Sequence, residues 1–286
     1  MKVIEFKKVG NLSMFADYYP PKRNVKETYI IFVHGGCSIF GSRKWVPTWL
    51  LERIIEAGYG FFSIDYRLVP ETLLNQILED INDAIKHIRE YINKLSNKPC
   101  KIVVMGQSSG GYLALQAGNL KDVVIDGIIS LSGFSDLFPD RSTLPLFESP
   151  VISKEEALAS VGAIPICDGN VEERWKYFSY IIQNNCWAAS FLGLQGNDSD
   201  ASVREQLEPY CPIRNITETY PPTLLIHGDS DKDVHCREAK YMAEILGKEK
   251  CELLLIEGKG HEFIIKGAEK SAKEEAEKII SFLDKI

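Results

Sequence analysis

Gly106-Gln107-Ser108-Ser109-Gly110-Gly111 sets a serine between two glycines, each two positions away. A G-x-S-x-G run between an apolar strand and a helix makes a sharp turn that lifts the middle side chain out of the sheet edge. Glycine suits the flanking positions because neighbouring backbone crowds such a turn. Ser108 has this frame; Ser109 would need glycine at position 107, where Gln107 stands. An exposed serine hydroxyl can attack an acyl carbon, provided that a base takes its proton.

Five histidines could serve as that base: His34, His87, His227, His235 and His261. His87 falls inside an amphipathic helical stretch, His227 ends an apolar strand and His235 starts a helix. His261, in Gly258-Lys259-Gly260-His261-Glu262-Phe263, follows the last apolar strand. Loops at the carboxyl ends of parallel strands share one sheet edge, where catalytic groups collect. Ser108 and His261 both fall there, so His261 is the expected base. A carboxylate must then hold the imidazole tautomer. His227-Gly228-Asp229-Ser230-Asp231-Lys232-Asp233-Val234 follows the preceding strand on the same edge. Asp229 reads as a turn cap and Asp233 as a helix N-cap. Asp231, in the loop proper, is the expected acid, with Asp233 its main rival and Asp136 a weaker one. Acyl transfer also needs backbone donors for the developing oxyanion. Val33-His34-Gly35-Gly36-Cys37 follows an earlier strand, and its glycines let amides approach a ligand.

These groups need a scaffold that brings distant positions to one rim. Residues 2–9 and 12–19 read as an antiparallel hairpin around Gly10-Asn11. The short apolar run at 29–33 reads as a strand buried on both faces, and 60–64, 101–105, 123–131, 223–226 and 251–256 read as further strands. Helical patterns fall at 43–57, 73–95, 109–118, 171–183, 235–247 and 267–284. In 73–95, Leu74, Ile77, Leu78, Ile81, Ile85, Ile88 and Ile92 repeat at spacings of three and four, which marks one apolar helix face. Strands that alternate with helices predict an α/β domain with a mostly parallel sheet covered on both faces. Residues 134–220 break the rhythm without a clear strand. That block is too long for a simple loop and is expected to be a lid or cap insertion in a single domain spanning 1–286, with Trp175, Phe178, Tyr180, Trp187 and Phe191 as candidate liners of a site or as packing.

The 286 residues carry 33 Lys and Arg against 40 Asp and Glu, a net charge of −7 that argues against broad nucleic-acid binding. Seven cysteines, an odd number with scattered spacing and no C-x-x-C, suggest reduced thiols in a cytoplasm rather than a disulfide framework or zinc site. No apolar run reads as a signal peptide or a membrane span. No metal or other cofactor is expected. Homo-oligomerisation stays open.

Two further segments carry a family resemblance. His34-Gly35-Gly36 matches the oxyanion motif of hormone-sensitive-lipase-like esterases, and Asp65-Tyr66-Arg67-Leu68-Val69-Pro70-Glu71 resembles their D-Y-R-L-A-P-E segment. The acid loop H-G-D-S-D-K-D-V is more similar to the prolyl-oligopeptidase and dienelactone-hydrolase branches. Outside 134–220, the chain thus resembles a serine hydrolase of the α/β-hydrolase superfamily, esterase/lipase type. The resemblance implies the α/β-hydrolase fold, with Ser108 as nucleophile, Asp231 as acid and His261 as base. It implies Gly36, Cys37 and Ser109 as backbone oxyanion donors, and a structural role for residues 65–71. Departures are G-Q-S-S-G-G in place of G-D-S-A-G-G, and Cys37 in place of a third glycine. The expected activity is hydrolysis of small or medium acyl esters. A peptidase, amidase or thioesterase on the same site is the alternative, as is a non-catalytic binding protein on this fold.

Overall fold

In the computed structural model, which describes residues 1–96, 98–138, 150–261 and 270–286, the chain opens on an antiparallel hairpin of β1 (Lys2–Val9) and β2 (Leu12–Tyr19). Strands and helices then alternate through β3 (Thr28–Val33), α1 (Thr48–Glu56), β4 (Gly60–Ile64), α2 (Leu74–Ser96), β5 (Lys101–Gln107), α3 (Ser109–Ala117) and β6 (Gly127–Leu131). Among the described residues four α-helices follow: α4 (Lys154–Ala159), α5 (Val171–Gln183), α6 (Trp187–Ser190) and α7 (Ala201–Leu207). The alternation resumes with β7 (Thr223–Gly228), α8 (Arg237–Leu246), β8 (Cys251–Ile256) and α9 (Lys270–Leu283). The eight strands form one sheet in the order β1-β2-β4-β3-β5-β6-β7-β8. β2 runs antiparallel to β1 and β4, and the rest of the sheet is parallel.

Successive strand side chains point to opposite faces, and both faces are buried. In β3, Tyr29, Ile31 and Val33 enter one apolar cluster, while Ile30 and Phe32 enter another. β5 divides the same way: Ile102 and Val104 join the first cluster, Val103 and Met105 the second. Apolar residues of α2 and α3 complete the first cluster, and those of α1 and α9 the second. Helices therefore cover both faces, as expected of an α/β-hydrolase fold. Among the described residues no helix is long and apolar enough to cross a membrane.

Several boundaries differ from the sequence expectation. The helix expected over 43–57 starts at Thr48, after Pro47 in an extended conformation. The residues before it are held by other partners: Arg43 donates to Asp17 and Asp65, and the Arg43 carbonyl accepts from Ser63. The strand expected over 123–131 starts at Gly127. Just before it, the Asp126 carboxylate turns back to accept the Ile102 amide at 2.7 Å. The helix expected over 235–247 starts at Arg237, and the first three residues of the one expected over 267–284 lie outside the described residues.

A buried ion pair anchors the segment after β4. Arg67 donates through Nε and Nη2 to the two oxygens of Asp80, at 2.7 and 2.8 Å, and Asp80 is fully buried. Lys7 adds a second cation at 2.8 Å. Removing one member of a buried pair leaves the other charge unsolvated. Asp80→Ala is therefore expected to destabilise the fold by about 3–5 kcal/mol, read from urea unfolding. A loss under about 1 kcal/mol would mean that water reaches Arg67.

Candidate active site

Ser108 lies between β5 and α3 with φ 54° and ψ −121°, a backbone conformation that L-residues rarely adopt. Its amide donates to the Leu131 carbonyl at 2.8 Å, tying the turn to β6, and its carbonyl accepts the Tyr112 amide at 3.0 Å. A Cβ at Gly110 would collide with the carbonyl oxygens of Val33 and His34, and one at Gly106 with that of Gly110. The flanking glycines thus let α3 start against the end of β3, which aims the Ser108 side chain off the sheet rim.

The loops after β7 and β8 are joined through their backbones. Ser230 donates its amide to the Lys259 carbonyl at 3.0 Å, and the Gly258 amide donates to Asp229 Oδ1 at 2.8 Å. Only glycine fits at 228, since a Cβ there would strike the Lys259 carbonyl. This coupling brings Asp231 to His261. His261 Nδ1 lies 2.8 Å from Asp231 Oδ2, and His261 Nε2 lies 2.9 Å from Ser108 Oγ. With the proton on Nδ1, the imidazole donates to the carboxylate and accepts from the serine hydroxyl. The other carboxylate oxygen, Asp231 Oδ1, accepts the Asp233 and Val234 amides, both at 2.9 Å. Those two bonds fix the carboxylate plane.

Burial would raise the Asp231 pKa. Hydrogen bonds from His227 and His261, the His261 charge and the Val234 amide outweigh it and hold the carboxyl well below the usual range. Asp231 is therefore an acceptor at any pH near neutrality. His227 Nε2 donates to the Val234 carbonyl at 2.8 Å and lies 3.3 Å from Asp231 Oδ2, so this strand-end histidine steadies the acid loop. The structure gives the rival carboxylates other positions. Asp233 is exposed and lends its amide to Asp231, and α8 begins too late for it to be the N-cap. Asp136 accepts from Arg214 at 2.9 Å and from the Cys211 thiol at 3.3 Å. Asp229 accepts from Ser230 and Gly258, as befits a turn residue.

The loop after β3 runs beside this serine. A Cβ at Gly35 would lie 2.9 Å from the Gln107 carbonyl and 3.3 Å from Ser108 Cβ. Cys37 and Ser38 both have φ 57°, two consecutive non-glycine residues in the left-handed region. The Ser38 amide donates to Ser109 Oγ at 3.1 Å. Ser109 thus braces the loop with its side chain, a contact that the motif alone did not reveal. Tyr66 stacks on His34 with centroids 4.3 Å apart and donates to the His34 carbonyl at 2.9 Å. Burial lowers the His34 pKa to about 4 against the opposing bond to the Gly35 carbonyl, so this ring is neutral. Of the five aromatic candidates in 134–220, Phe178, Trp187 and Phe191 are buried in the core, Tyr180 is half-buried and Trp175 is exposed. Among the described residues no cluster of three His, Cys, Asp or Glu could hold a metal ion.

Comparison with known proteins agrees with this architecture. Residues 17–143 match the BD-FAE family, and residues 175–286 match the prolyl oligopeptidase family. The chain is 29% identical over 282 residues to methylphloroacetophenone synthase of Cladonia uncialis, covering 81% of this chain and 11% of the synthase. It is 24% identical over 250 residues to a probable isoprenylcysteine alpha-carbonyl methylesterase of Arabidopsis thaliana, covering 86% of this chain and 48% of that protein. The chain thus spans less than half the length of either relative. An α/β-hydrolase superfamily protein from Enterococcus faecalis has the same fold, with a TM-score of 0.74 at 22% identity over 98% of both chains. With the architecture shared from end to end and the two family matches lying in tandem along it, the chain has the α/β-hydrolase fold.

Proposed function

We propose that the protein is a serine carboxylic-ester hydrolase acting on small or medium acyl esters. The observation that carries this is the continuous hydrogen-bond chain from Ser108 Oγ through His261 to Asp231, with links of 2.9 and 2.8 Å. Ser108 Oγ attacks the acyl carbon as its proton passes to His261 Nε2. The oxyanion takes hydrogen bonds from the amides of Gly36, Cys37 and Ser109. Collapse of the tetrahedral intermediate breaks the ester bond, and the departing alcohol takes the proton from His261. Water then gives a proton to His261 and attacks the acyl-enzyme, and Ser108 recovers its proton as the carboxylic acid leaves. Asp231 keeps the imidazole in the productive tautomer throughout.

The block at 134–220 is proposed as the lid or cap over the acyl or alcohol site, within a single domain. Seven cysteines without a disulfide support a reducing, cytoplasmic setting. Burst release of p-nitrophenol from p-nitrophenyl acetate, with stoichiometric labelling by a fluorophosphonate, tests the activity. No turnover from acetyl to octanoyl esters and no label would make this a binding protein on a hydrolase fold. The prolyl oligopeptidase match over 175–286, which carries Asp231 and His261, favours a second reading as a peptidase or amidase. A panel pairing each p-nitrophenyl ester with its p-nitroanilide separates the two.

Cys37 enters this scheme through its amide alone. Cys37→Ala keeps that amide and a Cβ, so kcat/KM is expected to stay within about threefold of the parent. A loss above about thirtyfold in a folded variant would assign the thiol a role of its own.

A further inference from the structure

Arg174 lies in the first turn of α5, outside the scaffold strands, yet it is only 4% exposed. Its guanidinium serves three acceptors. Nε donates to the Ile39 carbonyl, Nη2 donates to the Val69 carbonyl at 2.7 Å, and both terminal nitrogens donate to the Glu71 carboxylate at 2.7 and 2.8 Å. The Glu71 side chain is fully buried and also accepts the Gly162 amide at 2.8 Å.

Ile39 closes the turn that holds the oxyanion amides. Its own amide donates to the Gly36 carbonyl at 2.9 Å, so residues 36–39 form one loop with Cys37 and Ser38 inside it. Those two residues hold a backbone conformation that costs energy unless its surroundings impose it. Three contacts impose it from outside. Ser109 Oγ takes the Ser38 amide, Val69 donates its amide to the Ser38 carbonyl at 2.8 Å, and Arg174 grips the Ile39 carbonyl. Gly41 and Gly169 exchange backbone bonds at 2.9 and 3.0 Å, which ties the loop to the same part of the 134–220 block.

We propose that Arg174 is a positioning residue for the oxyanion donors, reaching in from the block between β6 and β7 to fix the far end of the Gly36–Ile39 turn. The inference rests on the ester-hydrolase function proposed above. A planar fork can hold two carbonyls and a carboxylate in fixed relation, which an ammonium cannot. Losing one oxyanion donor outright costs on the order of 10²–10³ in kcat, and misplacing donors costs less.

The test compares the parent with Arg174→Lys and Arg174→Gln. Circular dichroism and thermal melts establish folding first. Arg174→Lys keeps the charge beside Glu71 but cannot reach the carbonyls of Ile39 and Val69 together. Its kcat for p-nitrophenyl acetate is expected to fall by about tenfold to a hundredfold, with KM within about threefold. Affinity for a trifluoromethyl ketone, whose tetrahedral adduct carries the oxyanion, should fall by the same factor as kcat/KM. A lower melting temperature with unchanged kcat and ketone affinity would overturn the proposal, as would failure of both variants to fold, since Arg174 would then serve the fold alone. A parent with neither turnover nor fluorophosphonate label would sink the ester-hydrolase function and this inference together. An active parent with fully active variants overturns only the role of Arg174.

Discussion

Ser108→Ala is expected to lower kcat for p-nitrophenyl acetate by on the order of 10⁵- to 10⁶-fold and to abolish fluorophosphonate labelling. The substitution removes Oγ, which stands 2.9 Å from His261 Nε2. His261 can then activate only water, which no covalent tether holds at the acyl carbon. The backbone that shapes the turn is untouched: the Ser108 amide still meets the Leu131 carbonyl, and the Tyr112 amide still meets the Ser108 carbonyl. Alanine has the same Cβ at φ 54°, so thermal stability should change little. Residual hydrolysis would come from the oxyanion amides and from binding. Retention of a tenth or more of the parent rate in the folded variant would remove Ser108 from the reaction.

Asp231→Asn should lower kcat by about 10⁴-fold in a protein that still folds. Asp231 Oδ1 has two amides to accept, so an asparagine oxygen takes that place and its NH₂ group turns toward His261 Nδ1. Nδ1 must then accept, the proton moves to Nε2, and the ring faces the serine as a donor rather than a base. The same variant has a pH signature. The Asp231 carboxyl ionises at lower pH in the folded chain than in the unfolded one. Its contribution to stability is therefore fully present above about pH 4 and is lost as pH falls through the acid range. Asp231→Asn lacks that component, so its melting temperature should change less than the parent's between roughly pH 5 and pH 3. If Asp233→Asn produces the large kcat loss instead, the acid lies two residues further on.

Much of this arrangement was visible in the residues. Tyr29 to Val33 is apolar throughout because both of its faces are covered, and that pattern belongs to a central parallel strand. The glycines around Ser108 announced a turn that no other residue could make. The choice among Asp229, Asp231 and Asp233 needed the loop's path, since all three follow one strand and differ only in which way the backbone turns each carboxylate. The link between Arg174 and Glu71, 103 positions apart, had no local signature at all. A salt bridge that distant is set by how the 134–220 block settles on the sheet. A helix start is illegible where a polar residue has a tertiary partner, as with Arg43, which reaches Asp17 and Asp65 rather than opening α1.

The parallel ladder from β5 through β8 has a consequence for redesign. Ser108 follows β5, Asp231 follows β7 and His261 follows β8, and each strand is pinned to its neighbour residue by residue, as in Leu131 opposite both Gln107 and Ile226. Spacing between Ser108 and His261 is thus a property of the ladder, indifferent to how many residues loop out between β6 and β7. Segments of other lengths could be grafted there, with the geometry of Ser108, Asp231 and His261 inherited intact. The graft would have to keep a guanidinium, or its equivalent, facing the Ile39 and Val69 carbonyls and a backbone partner for Gly41.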